Sequence, residues 1–206
     1  MNAELARLGA ATVYEAAGRQ GLVDAEFKQI VPGSRACGPA RIARCGQDDN
    51  LMVHAVMAAV QPGDVLVLTM PEPRPVALLG DLLATQAKVR DAAAVLVDAA
   101  VRDRAELAEI GLPVWARWVR CRGAGKTEVG TLDVPVTVGG ATIRPRDLVV
   151  LDADGVAVVA AERASEVLHA SQEREEKERA KRRRLQAGEL SYELDGLRAV
   201  VESGSP

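Results

Sequence analysis

The stretch Gly80-Asp81-Leu82-Leu83-Ala84, continued through Ala93-Ala94-Val95-Leu96-Val97 to Val101-Arg102-Asp103, decides the reading of this chain. A glycine turn opens it. A helical segment from Ala84 to Arg90 follows, then an apolar run with the length and β-branched content of a buried strand. A charged pair closes it. Turn, helix, strand and charged pair together bring a helix N-terminus near a fixed cation and a fixed carboxylate. A small anionic substrate and a divalent metal suit such a corner.

Outward from that stretch, the chain alternates. Asp64-Val65-Leu66-Val67-Leu68-Thr69 reads as a buried strand, so that strand, the helix after Gly80 and the strand at Val95–Asp98 form one βαβ unit with parallel strands. Arg104–Ile110 gives another short helix, ended by Gly111, and Pro113-Val114-Trp115-Ala116 starts the next strand. Upstream, Ala3–Arg19 reads as a helix. Two short strands are expected between Ile30 and Cys45, and a helix over Leu51–Val60, capped by Asp48-Asp49-Asn50. The prolines of Met70–Pro75 dictate a loop or extended stretch. Downstream of Cys121, glycines separate short β-rich runs. Ala153-Asp154-Gly155 between two apolar runs signals a hairpin. A helix over Glu162–Ala187 carries charge at helical spacing, pairing Glu173 with Lys177, Glu175 with Arg179 and Glu178 with Arg182. A loose tail is expected from Ser203 to Pro206.

Composition narrows the function classes. Hydrophobic residues make up 48% of the 206, enough for a substantial core, while aromatics make up 2%. So few rings argue against a stacking platform for single-stranded nucleic acid. A net charge of −3 supplies no field to draw nucleic acid or an anionic membrane. The basic run Lys181-Arg182-Arg183-Arg184 is interleaved upstream with Glu173, Glu175, Glu176 and Glu178 and reads as a solvated helix face. Cys37, Cys45 and Cys121 have no metal-binding spacing, which fits reduced thiols. With no secretory signal pattern and no apolar run of membrane-spanning length, a cytoplasmic protein is expected.

Arg102 and Asp103 follow an apolar strand, where α/β proteins place ligands. Arginine grips a carboxylate through two parallel hydrogen bonds, and aspartate ligates Mg²⁺ or Mn²⁺. Taken alone, the pair also admits an ordinary salt bridge, with Asp103 capping the helix after it. Gly80 with the amides of Leu82 and Leu83 can receive an anion at a helix N-terminus, or can be a plain turn capped by Asp81. His54, one turn into its helix, can orient a substrate or move a proton, or can be a half-buried structural histidine. No nucleotide-binding P-loop, dinucleotide fingerprint, zinc-protease or serine-hydrolase motif is present.

Taken together, Gly80-Asp81-Leu82-Leu83-Ala84, Arg102-Asp103 and Gly111-Leu112-Pro113-Val114-Trp115 form a series that resembles the RraA-like superfamily. Within it the likeness is to the 4-hydroxy-4-methyl-2-oxoglutarate / 4-carboxy-4-hydroxy-2-oxoadipate aldolases. It extends through Thr12–Ala16, Asp49-Asn50 before Met52-Val53-His54, Pro62-Gly63-Asp64, Asp152 with Asp154-Gly155, and Ala187–Leu190. The resemblance implies one layered α/β/β/α swivelling-type domain over residues 1–206, with 162–187 a C-terminal helix at a subunit interface. It implies trimers or hexamers. It also implies a pyruvyl group held by Gly80–Leu83 and Arg102, and Mg²⁺ or Mn²⁺ ligated by Asp103. Asp81 would act through metal-bound water, and Glu178 would reach the metal shell from a neighbouring subunit. The implied activity is cleavage of a 4-hydroxy-2-oxo acid to pyruvate, with oxaloacetate decarboxylation beside it. The same superfamily holds non-catalytic regulators of ribonucleases, the alternative implied. The proline-rich 70–75 segment and the basic stretch Arg117–Glu128 depart from the aldolase pattern and bear on substrate identity.

Overall fold

The computed structural model describes residues 1–204; Ser205 and Pro206 of the expected loose tail lie outside them. In chain order the elements are α1 (Asn2–Leu8), α2 (Ala10–Ala16), β1 (Lys28–Gln29), β2 (Ala36–Arg44), α3 (Leu51–Val56), β3 (Val65–Thr69), β4 (Ala77–Leu79), α4 (Asp81–Val89), β5 (Ala94–Val101), α5 (Arg104–Ile110), β6 (Val114–Val119), β7 (Thr131–Leu132), β8 (Val136–Val138), β9 (Ala141–Ile143), β10 (Leu148–Leu151), β11 (Val156–Val159), α6 (Ala164–Gln186), α7 (Ser191–Leu194) and α8 (Leu197–Glu202). The chain divides into two compact units, Met1–Ser171 and the remainder from Gln172.

The first unit is built on a mixed sheet ordered β1-β6-β5-β3-β2-β10-β11, with β4 added to β5 and β7 to β2. Its centre is parallel: β2 with β3, β3 with β5, and β5 with β6. Every residue of β5 is buried, as expected for a parallel strand covered on both faces. Alternate residues serve opposite cores. Val95 and Val97 join Met52, Val53 and Val56 of α3, Leu83, Ala84 and Ala87 of α4, and Leu107 of α5. Ala94 and Leu96 join Val136 and Ile143 of the β8–β9 hairpin and Val149 of β10. A third cluster packs Leu5, Leu8 and Val13 of the first two helices on Cys37, Leu148 and Val150. Strand β2 feeds all three clusters, through Cys37, Ile42 and Ala43, because the sheet curls along it. Each fully buried Leu or Val contributes roughly 1.5–3 kcal/mol.

Several sequence expectations shift. The first helix is two, broken at Gly9, whose φ is 88°. The two strands expected between Ile30 and Cys45 are one, Ala36–Arg44, despite Pro39. The helix after Gly80 starts at Asp81, earlier than expected. It follows not β3 but β4, a three-residue strand hidden behind the prolines.

The position of β4 organises the edge where Gly80 and Arg102 lie. β5 pairs with β3 through Val97, then with β4 at Ala100 and Val101, with a register shift between. Leu79 and Val101 are partners, and Arg102 N–H donates to Leu79 C=O at 3.0 Å. Two adjacent parallel strands therefore end level, and each turns at once into a helix. This is why Gly80 and Arg102-Asp103 meet.

The second unit, from Gln172, holds most of α6 with α7 and α8. Exposed ion pairs lace it: Arg179 with Glu175 at 3.2 Å, Lys181 with Asp195, and Arg184 with Glu189 at 2.6 Å. Exposed pairs of this kind add little to stability. The pairing of Glu175 with Arg179 is as expected. Glu178 differs: it pairs backward with Arg174 at 2.9 Å rather than with Arg182.

Candidate active site

Gly80 ends β4 in extended backbone, with φ −135°. What the glycine provides there is space for two side chains, not a special backbone angle. A Cβ would lie 2.5 Å from Asp103 Oδ2 and 3.1 Å from Arg102 Nε. Gly123 approaches from the other side, where a Cβ would lie 3.2 Å from Arg102 Nη1. The guanidinium thus sits where two missing side chains leave room.

Asp103 adopts the left-handed conformation, with φ 55°, which aspartate tolerates better than most residues. It makes no side-chain cap on its own helix α5. Its carboxylate turns back, and Oδ2 accepts from Asp81 N–H and from Arg102 Nε–H, both at 3.3 Å. A carboxylate from the neighbouring turn therefore faces the N-terminus of α4, where negative charge is favoured. The next amides, Leu82 and Leu83, donate to no acceptor among the described residues. Asp103 Oδ1 likewise accepts no hydrogen bond among them.

Above these groups lies a small pocket of about 160 Å³. Gly80, Asp81, Leu82, Leu83, Arg102 and His54 all line it, so the structure brings six of the sequence-predicted residues together. Asp103 does not line it but contacts two residues that do, Asp81 and Arg102, and borders the adjoining depression with Arg120 and Cys121. Glu178 is not among the lining residues; it belongs to the second unit, in its pair with Arg174. Among the described residues, no three His, Cys, Asp or Glu side chains gather as a metal cage.

Two polar lining residues were not foreseen as site residues, Asn50 and Lys126. Asn50 was legible only as a helix cap. Its Nδ2 donates to Leu78 C=O at 3.1 Å, and its buried Oδ1 has no partner. It stands four residues before His54, which puts both on one face of α3. Lys126 was legible only as part of a basic stretch. Its loop is stapled by Asp49, which is 2% exposed. The Asp49 carboxylate accepts from Leu51 N–H at 2.8 Å, Thr127 N–H at 2.7 Å and Glu128 N–H at 3.1 Å. Burial pushes the Asp49 carboxyl up, but these donors outweigh it and hold it below its ordinary value. The bonds Asn50 N–H to Gly125 C=O and Gly125 N–H to Asp48 C=O, both 2.9 Å, lock the same loop. Of the basic side chains in the stretch Arg117–Glu128, only Lys126 lines this pocket, beside Ala124, and no residue of the proline-rich segment 70–75 does. That segment is instead tied to Gln47, which exchanges bonds with Glu72 at 2.9 and 3.1 Å.

A family model described as RraA-like, Aldolase/RraA, matches residues 10–158. The chain belongs to the RraA-like family. A protein of Halalkalibacterium halodurans provisionally named 4-hydroxy-4-methyl-2-oxoglutarate aldolase is 32% identical over 176 residues, covering 85% of this chain and 81% of that one. Among solved structures, an uncharacterised protein of Pseudomonas syringae pv. tomato superposes with a TM-score of 0.80 at 24% identity, over 91% of this chain and 92% of its own. That likeness speaks for the fold. Streptomyces coelicolor RraAS2, described as an unusual member of the RNase ES inhibitor RraA family, reaches 0.78 at 31% identity, over 87% and 94%. The RraA-like family thus includes relatives named for an aldolase and for a ribonuclease inhibitor. No helix among the described residues is long and apolar enough to cross a membrane.

Proposed function

We propose that this pocket is the pyruvyl site of a metal-dependent aldolase. Its substrate is a 4-hydroxy-2-oxo acid of the 4-hydroxy-4-methyl-2-oxoglutarate or 4-carboxy-4-hydroxy-2-oxoadipate type. The observation that carries the reading is the convergence of the Arg102 guanidinium with the free Leu82 and Leu83 amides on one small pocket. Those donors suit the carboxylate of a 2-oxo acid, which two amides and a cation hold in one orientation. Asp81 and His54 line the same pocket and in this reading hold or move protons.

The acidic residues fit a hydrated Mg²⁺ or Mn²⁺ held mainly by water, not a caged ion. Such ions need only one or two carboxylates, and Asp103 offers its free Oδ1 with Asp81 alongside. When bound, the metal supplies Lewis-acid stabilisation of the pyruvate enolate formed on carbon–carbon cleavage. Fixing the carboxylate aligns the bond to be broken. Loss of carbon dioxide from oxaloacetate gives the same enolate, so decarboxylation belongs to the reading. A homo-oligomer, trimer or hexamer, with Glu178 reaching a neighbour's metal shell, is part of the proposal, as are a single domain and a cytoplasmic location.

The test is release of pyruvate from both substrates with Mg²⁺ or Mn²⁺, and its loss in chelator. Full activity in Asp103→Ala or Arg102→Ala would sink the proposal. The likeness to RraAS2 favours a second reading, a regulator that binds a ribonuclease. Inhibition of an RNase E-type nuclease by metal-free protein, without any turnover of oxo acids, would select it.

A further inference from the structure

Asn50 is 8% exposed, and its Oδ1 is the one side-chain polar atom of the pocket wall that is both buried and without a partner among the described residues. Buried polar groups in native proteins are ordinarily satisfied, and an exception calls for an explanation. The orientation of the amide is fixed by its neighbour. Leu78 C=O can only accept, so the nitrogen must face it and the oxygen must be the free end. What is missing is therefore a donor. The backbone of Asn50 is equally fixed, by its N–H bond to Gly125 C=O and by its place at the start of α3. Bulk water reaches less than 1 Å² of the oxygen. Asn50 lines the pocket, so a donor seated there is the partner this oxygen lacks.

We infer that Asn50 Oδ1 accepts the hydroxyl proton of a hydroxylated oxo acid, and so selects such acids over their deoxy counterparts. The inference rests on the reading of the pocket as a 4-hydroxy-2-oxo acid site and names the residue that reads the hydroxyl. The other groups on the wall do not supply this selection. Arg102, Lys126 and the Leu82 and Leu83 amides are donors and serve carboxylates, and the acceptors Asp81 and His54 are open to water, which satisfies them when the hydroxyl is absent. Asn50 supplies a neutral acceptor in a fixed position, and a deoxy acid leaves it unpaired.

The experiment compares binding of 4-hydroxy-2-oxoglutarate and 2-oxoglutarate by calorimetry to the full chain in chelator, where the proposed cleavage does not run. Wild type is expected to bind the hydroxylated acid about tenfold more tightly. In Asn50→Leu and Asn50→Ala the two dissociation constants should fall within about twofold of each other, with binding of 2-oxoglutarate little changed. Equal affinities in wild type overturn the inference, whatever becomes of the variants. So does a hydroxyl preference that survives in either variant with an intact melting transition. Failure of the functional reading shows separately, as absence of pyruvate when metal is restored.

Discussion

Arg117 and Asp98 form one cation–carboxylate pair on the β5–β6 side of the sheet; Arg102 and Asp103 form another where β5 ends. The first is closed. Asp98 is 3% exposed, Arg117 bonds it through Nε, and the guanidinium also lies over the Phe27 ring at 5.6 Å. Burial pushes the Asp98 carboxyl above its ordinary value, with Arg117 pulling it down. The second pair is open. Its side chains are 49% and 32% exposed, its contact is a long 3.3 Å, and an unused carboxylate oxygen and two unused amides stand around it. Burial and completeness mark a pair that holds the fold; unspent hydrogen-bonding capacity beside a pocket leaves a pair free for another partner, as proposed for Arg102 and Asp103.

The contrast breaks first at Arg102. Arg102→Ala should lower kcat/KM for pyruvate release by about 100- to 1,000-fold. Its melting temperature should stay close to wild type, because half-exposed surface side chains rarely matter by more than about 0.5 kcal/mol. A large loss of stability with activity intact would make the open pair structural after all. Asp98→Ala should behave in the opposite way. It strands the half-buried Arg117, and removing one partner of a buried pair costs roughly 3–5 kcal/mol. Thermal melts should show a fall of about ten degrees, with kcat/KM at a permissive temperature nearly unchanged.

A subtler test concerns Asp49, which resembles Asp98 in burial but not in what it holds. Its folded-state value lies below the ordinary one, so its contribution to stability is present above the usual carboxylate range near 4. That contribution disappears as pH falls through the lowered value. Melting curves between pH 5 and roughly 2.5 should therefore show an acid-sensitive component that Asp49→Asn removes. The raised value of Asp98 works with the opposite sign, favouring the protonated fold in acid, so double substitution separates the two.

What the sequence made legible follows the same divide between local and distant causes. Gly80, Arg102 and Asp103 could be read because each is punctuation at the end of a strand or start of a helix. Their meeting was expected too, but the strand that brings it about was not, because β4, Ala77-Leu78-Leu79, is too short to show a period. Lys126 and Asn50 were hidden for another reason. Their place at the pocket is set by Asp49, whose bonds to Thr127 and Glu128 span 78 and 79 positions of sequence. Glu178 shows the limit within one helix: spacing offered it Arg182 and Arg174 alike, and the side chains chose Arg174.

The smallest expected effect concerns Lys126, which differs from Arg102 in having no carboxylate beside it. Nothing among the described residues pairs with its ammonium, although Asp49 fixes the backbone on both sides of it. A flexible point charge on a fixed loop suits the far carboxylate of a dicarboxylic substrate better than the reacting end. Lys126→Ala should therefore raise KM about three- to tenfold with kcat nearly unchanged, the pattern of lost uniform binding. Monocarboxylic analogues provide the control. They lack the group Lys126 would meet, so the substitution should leave their kinetics alone. An equal loss on both substrates would place Lys126 beside Arg102 in the clamp, and a loss confined to kcat would give it a part in proton movement.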